Sequence, residues 1–233
     1  MEALQPNAIE ALILDMDGVL INSEPVHEQA KRQALEEAGI VVPDALLARY
    51  TGSSDRAMIY EVAGTDGESE ERCAEILARK HRIYESLEHT LCPVPGAIEF
   101  VHWANTRYRL ALATSATTRN RKSTLKALQI ESMFEAVVDS ASLLHPKPSP
   151  EVYQITLERL TLAPTACLVI EDAVNGIAAA RAAGCFSVGL TTSFSEASLR
   201  KAGADLVVGS FSELRALLSG GKPKWGWNTS KGI

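Results

Sequence analysis

Two carboxylates follow directly on an apolar run near the start of the chain, where residues 11–20 read ALILDMDGVL and contain Asp15 and Asp17. An aspartate can attack phosphorus and form an aspartyl phosphate, which divides a difficult hydrolysis into two easier displacements. A second acid two residues later can give a proton to the leaving oxygen and then take one from water. The pair therefore suits the transfer of a phosphoryl group.

Further polar side chains follow other apolar runs of the chain. Thr114 and Ser115 follow one run, Glu171 and Asp172 end another, and Lys147 lies between two prolines in HPKPSP. Ligands of an open parallel sheet bind beyond the carboxyl ends of its strands, where the loops that follow the strands meet. We therefore expect these residues to converge on the acidic pair at one edge of the sheet.

The acidic residues of this set suit Mg²⁺, which takes oxygen ligands and compensates the charge of a phosphoryl group. We expect Asp15 and Asp172 to bind the ion with their carboxylates and Glu171 to reach it through water. Asp17 is expected to contribute its main-chain carbonyl, because its side chain is needed for the proton. The sequence therefore predicts a magnesium-dependent reaction.

The remaining residues suit a phosphate group. Lys147 would hold the nucleophile and the phosphoryl group together as a point charge. The hydroxyl of Thr114 and the backbone N–H groups of Ser115 and Ala116, at the expected beginning of a helix, would bind the other oxygens. Taken singly, each signal has a simpler explanation as a solvated turn, a helix cap or a charge on a loop. Their order and shared location favour the joint interpretation.

Short apolar runs alternate with helical patterns over much of the chain, as in a parallel sheet whose strands are buried on both faces. The runs predict strands at 11–15, 110–114, 136–139, 167–172, 186–190 and 205–209. The patterns between them predict helices at 96–105, 118–128, 149–160, 174–183, 195–202 and 211–218. This alternation predicts a doubly wound α/β core.

Residues 23–90 break this rhythm, because they contain no convincing strand and their apolar residues recur at helical spacing, as Val26 and Ala30 do. We expect a small α-helical cap inserted after the first strand, with hinges near 21–25 and 91–96. The predicted division is a core of residues 1–22 and 91–233 and a cap of residues 23–90.

The composition narrows the class of protein. The chain has 233 residues, of which 46% are hydrophobic, and a net charge of −6, whereas a nucleic-acid binder usually needs a dense basic surface. Its four cysteines form no CxxC pair and predict neither a zinc site nor a disulfide framework. The first residues, MEALQPNAIE, lack a basic region followed by an apolar one, so we expect no signal peptide, and no apolar stretch approaches membrane-spanning length. We expect a soluble cytoplasmic protein, a monomer or weak dimer, whose partner is a small phosphorylated metabolite rather than nucleic acid or a membrane.

Four segments of the chain resemble, in order, the four motifs of the haloacid dehalogenase (HAD) superfamily: DMDGVL, ALATS, KPSPEVY and VIEDAVNGIAAARAAG. More narrowly, they are similar to those of its subfamily I phosphatases and β-phosphoglucomutase-like proteins. The resemblance covers almost the whole core and implies a Rossmann-like fold, with the insert where this branch carries its helical cap. It also implies site residues: Asp15 as nucleophile, Asp17 as acid and base, Thr114, Ser115 and Lys147 at the phosphate, and Asp15, Asp17 and Asp172 at Mg²⁺.

Asp17 separates two chemistries within this superfamily. The dehalogenases generally lack an acid two residues after the nucleophile, because a halide needs no proton in order to leave. The resemblance together with Asp17 therefore favours phosphate ester chemistry over dehalogenation.

The cap is expected to close over the site, exclude water and read the leaving group. His27 could hydrogen-bond Asp17 or the substrate, which the resemblance supports, or it could be a surface histidine. Arg56, in the cap loop YTGSSDRAMIY, is the candidate for contact with a sugar-like group. Asp55 stands where the mutases carry a basic residue, which counts against mutase activity. Lys80 belongs to a group of cap residues that we expect on a solvated helix face.

The sequence thus predicts a magnesium-dependent phosphatase that acts on a small phosphorylated metabolite, with a sugar phosphate favoured. A β-phosphoglucomutase-type sugar phosphomutase is the first alternative, because it would share every core residue and differ in the cap. A phosphometabolite-binding protein without turnover is the alternative of another class. The joint presence of a nucleophile and an acid, Asp15 and Asp17, counts against it.

Overall fold

The computed structural model describes residues 9–50, 55–64 and 69–220 of the chain. These residues form two units, one that runs to Leu20 and resumes at Pro95 and one that spans Ile21–Val94. None of the helices in the described ranges combines the length and the apolar composition needed to cross a bilayer.

The secondary structure alternates between strands and helices outside the inserted unit. In the described part of the chain the strands are β1 (Ala11–Leu14), β2 (Ile21–Asn22), β3 (Cys92–Pro93), β4 (Arg109–Ala113), β5 (Ala136–Val138), β6 (Cys167–Glu171), β7 (Phe186–Leu190) and β8 (Leu206–Val208). The helices are α1 (Glu24–Glu36), α2 (Asp44–Arg49), α3 (Asp55–Ala63), α4 (Ser69–Leu87), α5 (Ala97–Asn105), α6 (Thr118–Leu128), α7 (Glu151–Leu160), α8 (Val174–Ala182), α9 (Glu196–Ala202) and α10 (Phe211–Ser219).

The first unit is built on a six-stranded parallel sheet in the order β5-β4-β1-β6-β7-β8. All residues of β1 and β6 are buried, which explains why their sequences are continuous apolar runs rather than alternating ones. The α/β class and the parallel sheet predicted from the sequence are therefore confirmed. Strands β4 and β5 follow on one side of β1, whereas β6, β7 and β8 follow on its other side, so the strand order changes direction between β1 and β6. In such sheets the crevice beyond the strand ends at this point is the usual ligand site.

In its described residues, the second unit consists of helices, their connections and one short sheet. Strands β2 and β3 pair antiparallel, with Ile21 opposite Pro93 and Asn22 opposite Cys92, so the two ends of the unit lie side by side. These residues belong to the segments predicted as hinges, and two-residue strands carry no periodicity that could reveal them. The buried faces of the helices keep the predicted helical spacing: Val26, Ala30 and Ala34 in α1, and Cys73, Ile76 and Tyr84 in α4.

Candidate active site

The sheet register brings the residue after β1 between its two neighbouring strands. Leu14 pairs with Leu112 of β4 and with Ile170 of β6. The backbone N–H of Asp15 then donates to the carbonyl of Ile170 at 3.0 Å, and the Asp15 side chain is buried. The predicted nucleophile is therefore held by backbone pairing at the centre of the sheet edge.

The ammonium group of Lys147 joins three strand ends. Its Nζ donates to Oδ1 of Asp15 at 2.9 Å, to Oε1 of Glu171 at 2.6 Å and to the carbonyl of Ala113 at 3.2 Å. The side chain is 9% exposed, so the ion pairs form largely out of water, where charge interactions are stronger. Lys147 thus compensates carboxylates from β1 and β6 at once.

Glu171 is wholly buried, and each of its two carboxylate oxygens accepts two hydrogen bonds. Oε1 accepts from Lys147 and, at 2.7 Å, from the hydroxyl of Tyr153, while Oε2 accepts from the backbone N–H groups of Asp172 and Ala173 at 3.1 and 3.2 Å. A carboxylate with this many donors is fixed in orientation. That Glu171 reaches a metal ion through water stays a prediction.

Asp15, Glu171 and Asp172 form a buried acidic cluster whose carboxylate oxygens lie within 4.8 Å of one another. Burial raises the pKa of Asp15 to about 7, against the opposing effect of Lys147. Burial and the charges of Glu171 and Asp15 also raise the pKa of Asp172 well above its ordinary value, while a hydrogen bond from Ser193 lowers it. A cluster of oxygen donors with surplus negative charge fits a hard divalent cation such as Mg²⁺.

Two glycines make room for these carboxylates. A Cβ on Gly18 would lie 1.8 Å from Oδ2 of Asp172, and the positive φ of +70° at this residue also favours glycine. A Cβ on Gly176, in α8, would lie 1.8 Å from Oε1 of Glu171. The glycines that follow the two acidic motifs are therefore required by close packing against the cluster.

The predicted phosphate-binding residues lie at the end of β4. Thr114 is fully buried, and its N–H donates to the carbonyl of Val138 at 3.0 Å. Its hydroxyl accepts from the N–H of Ala116 at 3.0 Å, whereas Ser115 is exposed. Helix α6 spans Thr118–Leu128, as predicted, and the side chain of Thr117 caps it, so Ser115 and Ala116 lie in the turn before the helix. The Ala116 amide therefore already has a partner within the turn.

His27 belongs to the second unit, where its Nδ1 lies 2.8 Å from Nζ of Lys80 and its ring stacks on Tyr84 at 4.2 Å. Burial and the neighbouring charge of Lys80 lower the pKa of His27 to about 3, so the imidazole is neutral. Lys80 is 2% exposed and pairs with Asp55 at 2.6 Å. The expectation of a solvated face for Lys80 was wrong, because its partners draw the ammonium group into the unit.

Arg56, the other predicted cap residue, lies on α3 and is 63% exposed. Its guanidinium donates to the hydroxyl of Tyr60 at 2.9 Å and to Glu70 at 3.0 Å. Residues 51–54, which complete the predicted cap loop, lie outside the described residues. A role for Arg56 toward a substrate stays a prediction.

The structure adds two side chains that the sequence interpretation missed, Tyr153 and Ser193. Ser193 follows β7, whose neighbour in the sheet is β6. The rule that parallel strands end at one edge could have indicated this loop. Tyr153 gave no comparable signal, because a tyrosine in an apolar helix pattern normally reads as core.

Comparisons with known proteins find one family and relatives that act on phosphorylated compounds. Residues 12–190 match the model of the family described as haloacid dehalogenase-like hydrolase. A phosphorylated carbohydrates phosphatase of Thermotoga maritima is 34% identical over 179 residues, which cover 76% of this chain and 82% of the relative. The β-phosphoglucomutase of Bacillus subtilis is 31% identical over 215 residues, which cover 88% of this chain and 92% of the relative. The crystal structure of CbbY from Rhodobacter sphaeroides in complex with phosphate has a TM-score of 0.72 and 25% identity, and covers 88% of this chain and 96% of that one.

Proposed function

This chain belongs to the haloacid dehalogenase-like hydrolase family, and from that membership we propose that it is a magnesium-dependent phosphatase. Its substrate is a small phosphorylated metabolite, and a sugar phosphate is the favoured class. The relative named a phosphorylated carbohydrates phosphatase supports this substrate class.

One observation carries the proposal: Lys147 lies between Asp15 and Glu171, and the carboxylate of Asp172 completes a buried cluster beside them. A nucleophile, a cation that holds it and a second carboxylate for a metal thus occur together at the edge of the sheet. Binding of a phosphorylated ligand alone would be served by positive charge, and it would not call for so many buried acids.

In the first step, a carboxylate oxygen of Asp15 attacks phosphorus while the bond from phosphorus to the ester oxygen breaks. Lys147 holds Oδ1 of Asp15, so we assign the attack to the other oxygen, Oδ2. Asp17 gives its proton to the leaving oxygen, which departs as an alcohol. Mg²⁺, held by Asp15 and Asp172 with the carbonyl of Asp17, would neutralise charge on the phosphoryl oxygens.

In the second step, water attacks the aspartyl phosphate and loses a proton to Asp17, which releases inorganic phosphate and restores Asp15. The hydroxyl of Thr114 and the N–H of Ser115 bind the transferred oxygens in this proposal. Both follow β4, the strand next to β1, which supports their assignment. Lys147 opposes the effect of burial on Asp15 and so favours the ionised nucleophile.

The runner-up is a sugar phosphomutase, which the similarity to the β-phosphoglucomutase of Bacillus subtilis favours. It would use the same aspartyl phosphate and return the group to another hydroxyl of the sugar instead of to water. Residues of the helical unit, among them His27 and Arg56, would decide which acceptor is admitted. Asp55 is an anion that pairs with Lys80, so this position supplies no positive charge to a substrate.

The test is the release of inorganic phosphate from a panel of sugar phosphates and other small phosphomonoesters, with Mg²⁺ and with a chelator. We expect metal-dependent release concentrated on one or a few esters. Absence of release, with conversion of β-glucose 1-phosphate to the 6-phosphate, would instead identify the mutase. Absence of both would overturn the proposed catalytic function.

A further inference from the structure

Tyr153 contacts both members of the buried Lys147–Glu171 pair. Its hydroxyl donates to Oε1 of Glu171 at 2.7 Å, the same oxygen that accepts from Lys147. The face of its ring lies 5.1 Å from Nζ of Lys147, within the range of a cation–π contact. One side chain of α7 therefore fixes the acceptor oxygen and borders the ammonium group.

Packing alone does not require the hydroxyl of Tyr153. The side chain is 0% exposed and belongs to an apolar cluster that includes Ala113, Val169 and Ala180. A phenylalanine would fill nearly the same space without a polar atom to bury. Burial of a hydroxyl costs free energy unless it finds a partner, so the hydrogen bond to Glu171 is the feature that sets tyrosine apart here.

We infer that Tyr153 is a positioning residue for phosphoryl transfer: it fixes Glu171, and through Glu171 it fixes Lys147 against the nucleophile Asp15. The inference rests on the proposed function. Oε1 is directed by two donors at once, and the two backbone N–H groups on Oε2 prevent the carboxylate from turning away. Loss of the hydroxyl removes one of the two described donors on Oε1 and loosens the ammonium group that aligns Asp15.

The variant Tyr153→Phe tests this inference in the full chain with Mg²⁺, with phosphate release measured on the best ester of the panel. We expect kcat to fall about tenfold, the scale of one buried hydrogen bond to a charged group, and KM to change by less than about twofold. Tyr108→Phe, which removes a hydroxyl from the same unit away from Glu171, is the control and should keep both constants.

Each other outcome is informative. A lower unfolding temperature with an unchanged kcat per folded molecule would mean that the hydroxyl serves the fold alone, and so would a Tyr153→Phe chain that does not fold. Either result would overturn the inference about Tyr153. The proposed function would still stand as long as the wild-type enzyme is active. If the wild type releases no phosphate from any ester, the proposed function fails and the inference falls with it.

Discussion

The carboxylate of Asp172 occupies the space that a side chain at residue 18 would fill, since a Cβ on Gly18 would lie 1.8 Å from its Oδ2. This contact joins the turn after β1 to the end of β6. The glycine of the DMDG motif therefore serves the acidic cluster as well as the turn. The close contact with Asp172 explains why the motif ends in a residue without a side chain.

Gly18→Ala should disrupt the acidic cluster. The methyl group would displace Asp172, and the positive φ adds strain of about 1–2 kcal/mol for any L-residue with a side chain. We expect phosphate release to fall at least about a hundredfold, with weaker dependence on Mg²⁺. Gly39→Ala is the matched control, because Gly39 has a similar φ of +77° and nothing within 4 Å of its added Cβ. Equal activity losses in the two variants would contradict the steric explanation.

Lys147→Met should leave the charges of Asp15 and Glu171 without their cation. Removal of one partner from a buried ion pair typically costs about 3–5 kcal/mol, so urea unfolding should show a loss of this size. Phosphate release should fall by about 10³-fold or more, because Lys147 also holds Oδ1 of Asp15, the proposed nucleophile. Lys126→Met, at an exposed lysine of α6, should change neither quantity. Retention of activity within tenfold in Lys147→Met would exclude the assigned role.

Magnesium should stabilise the folded chain through the acidic cluster. An ion that binds only the folded state at a hundred times its dissociation constant adds about 2.7 kcal/mol to the free energy of unfolding. We expect a rise in the unfolding temperature on addition of Mg²⁺ at neutral pH. Asp172→Asn should remove most of that rise. The same rise in the wild type and in this variant would show that the ion binds elsewhere.

His27 should make stability depend on pH in the acidic range. Its pKa is about 3 in the folded chain, where it faces Lys80, Lys31, Asp55 and His81, against an ordinary value of 6.5. The unfolded chain therefore takes up the proton first as the pH falls. The contribution of neutral His27 to the free energy of unfolding is therefore complete above pH 6.5. Below pH 6.5 this contribution is lost by up to about 1.4 kcal/mol per pH unit.

The variant His27→Gln, whose amide oxygen can still accept from Lys80, isolates this effect from the titration of other groups. Between pH 6.5 and 5 the free energy of unfolding, measured in urea, should fall by about 2 kcal/mol more in the wild type than in the variant. The same pH dependence in both proteins would mean that His27 takes up its proton in the folded chain as readily as in the unfolded one.

Much of the core and its site could be predicted because the determining signals are local in sequence. The continuous apolar runs of β1 and β6 identify strands buried on both faces, and the strand-end rule then brings Asp15, Lys147 and Asp172 together.

What could not be predicted depends on partners distant in sequence. Lys80 is buried because Asp55 and His27 face it, and no feature of its own helix pattern reveals them. The engagement of Tyr153 likewise depends on Glu171 of another element.

The central claim is that Asp15 becomes phosphorylated during turnover, and mass spectrometry of the acid-quenched enzyme tests it most directly. Full-length protein is mixed with Mg²⁺ and the best ester of the panel, quenched with acid and digested. We predict that the peptide containing Asp15 gains the mass of one phosphoryl group in the wild type and gains none in Asp15→Asn, which should also release no phosphate. Phosphate release by Asp15→Asn, or a phosphoryl group on a different peptide of the wild type, would contradict the account.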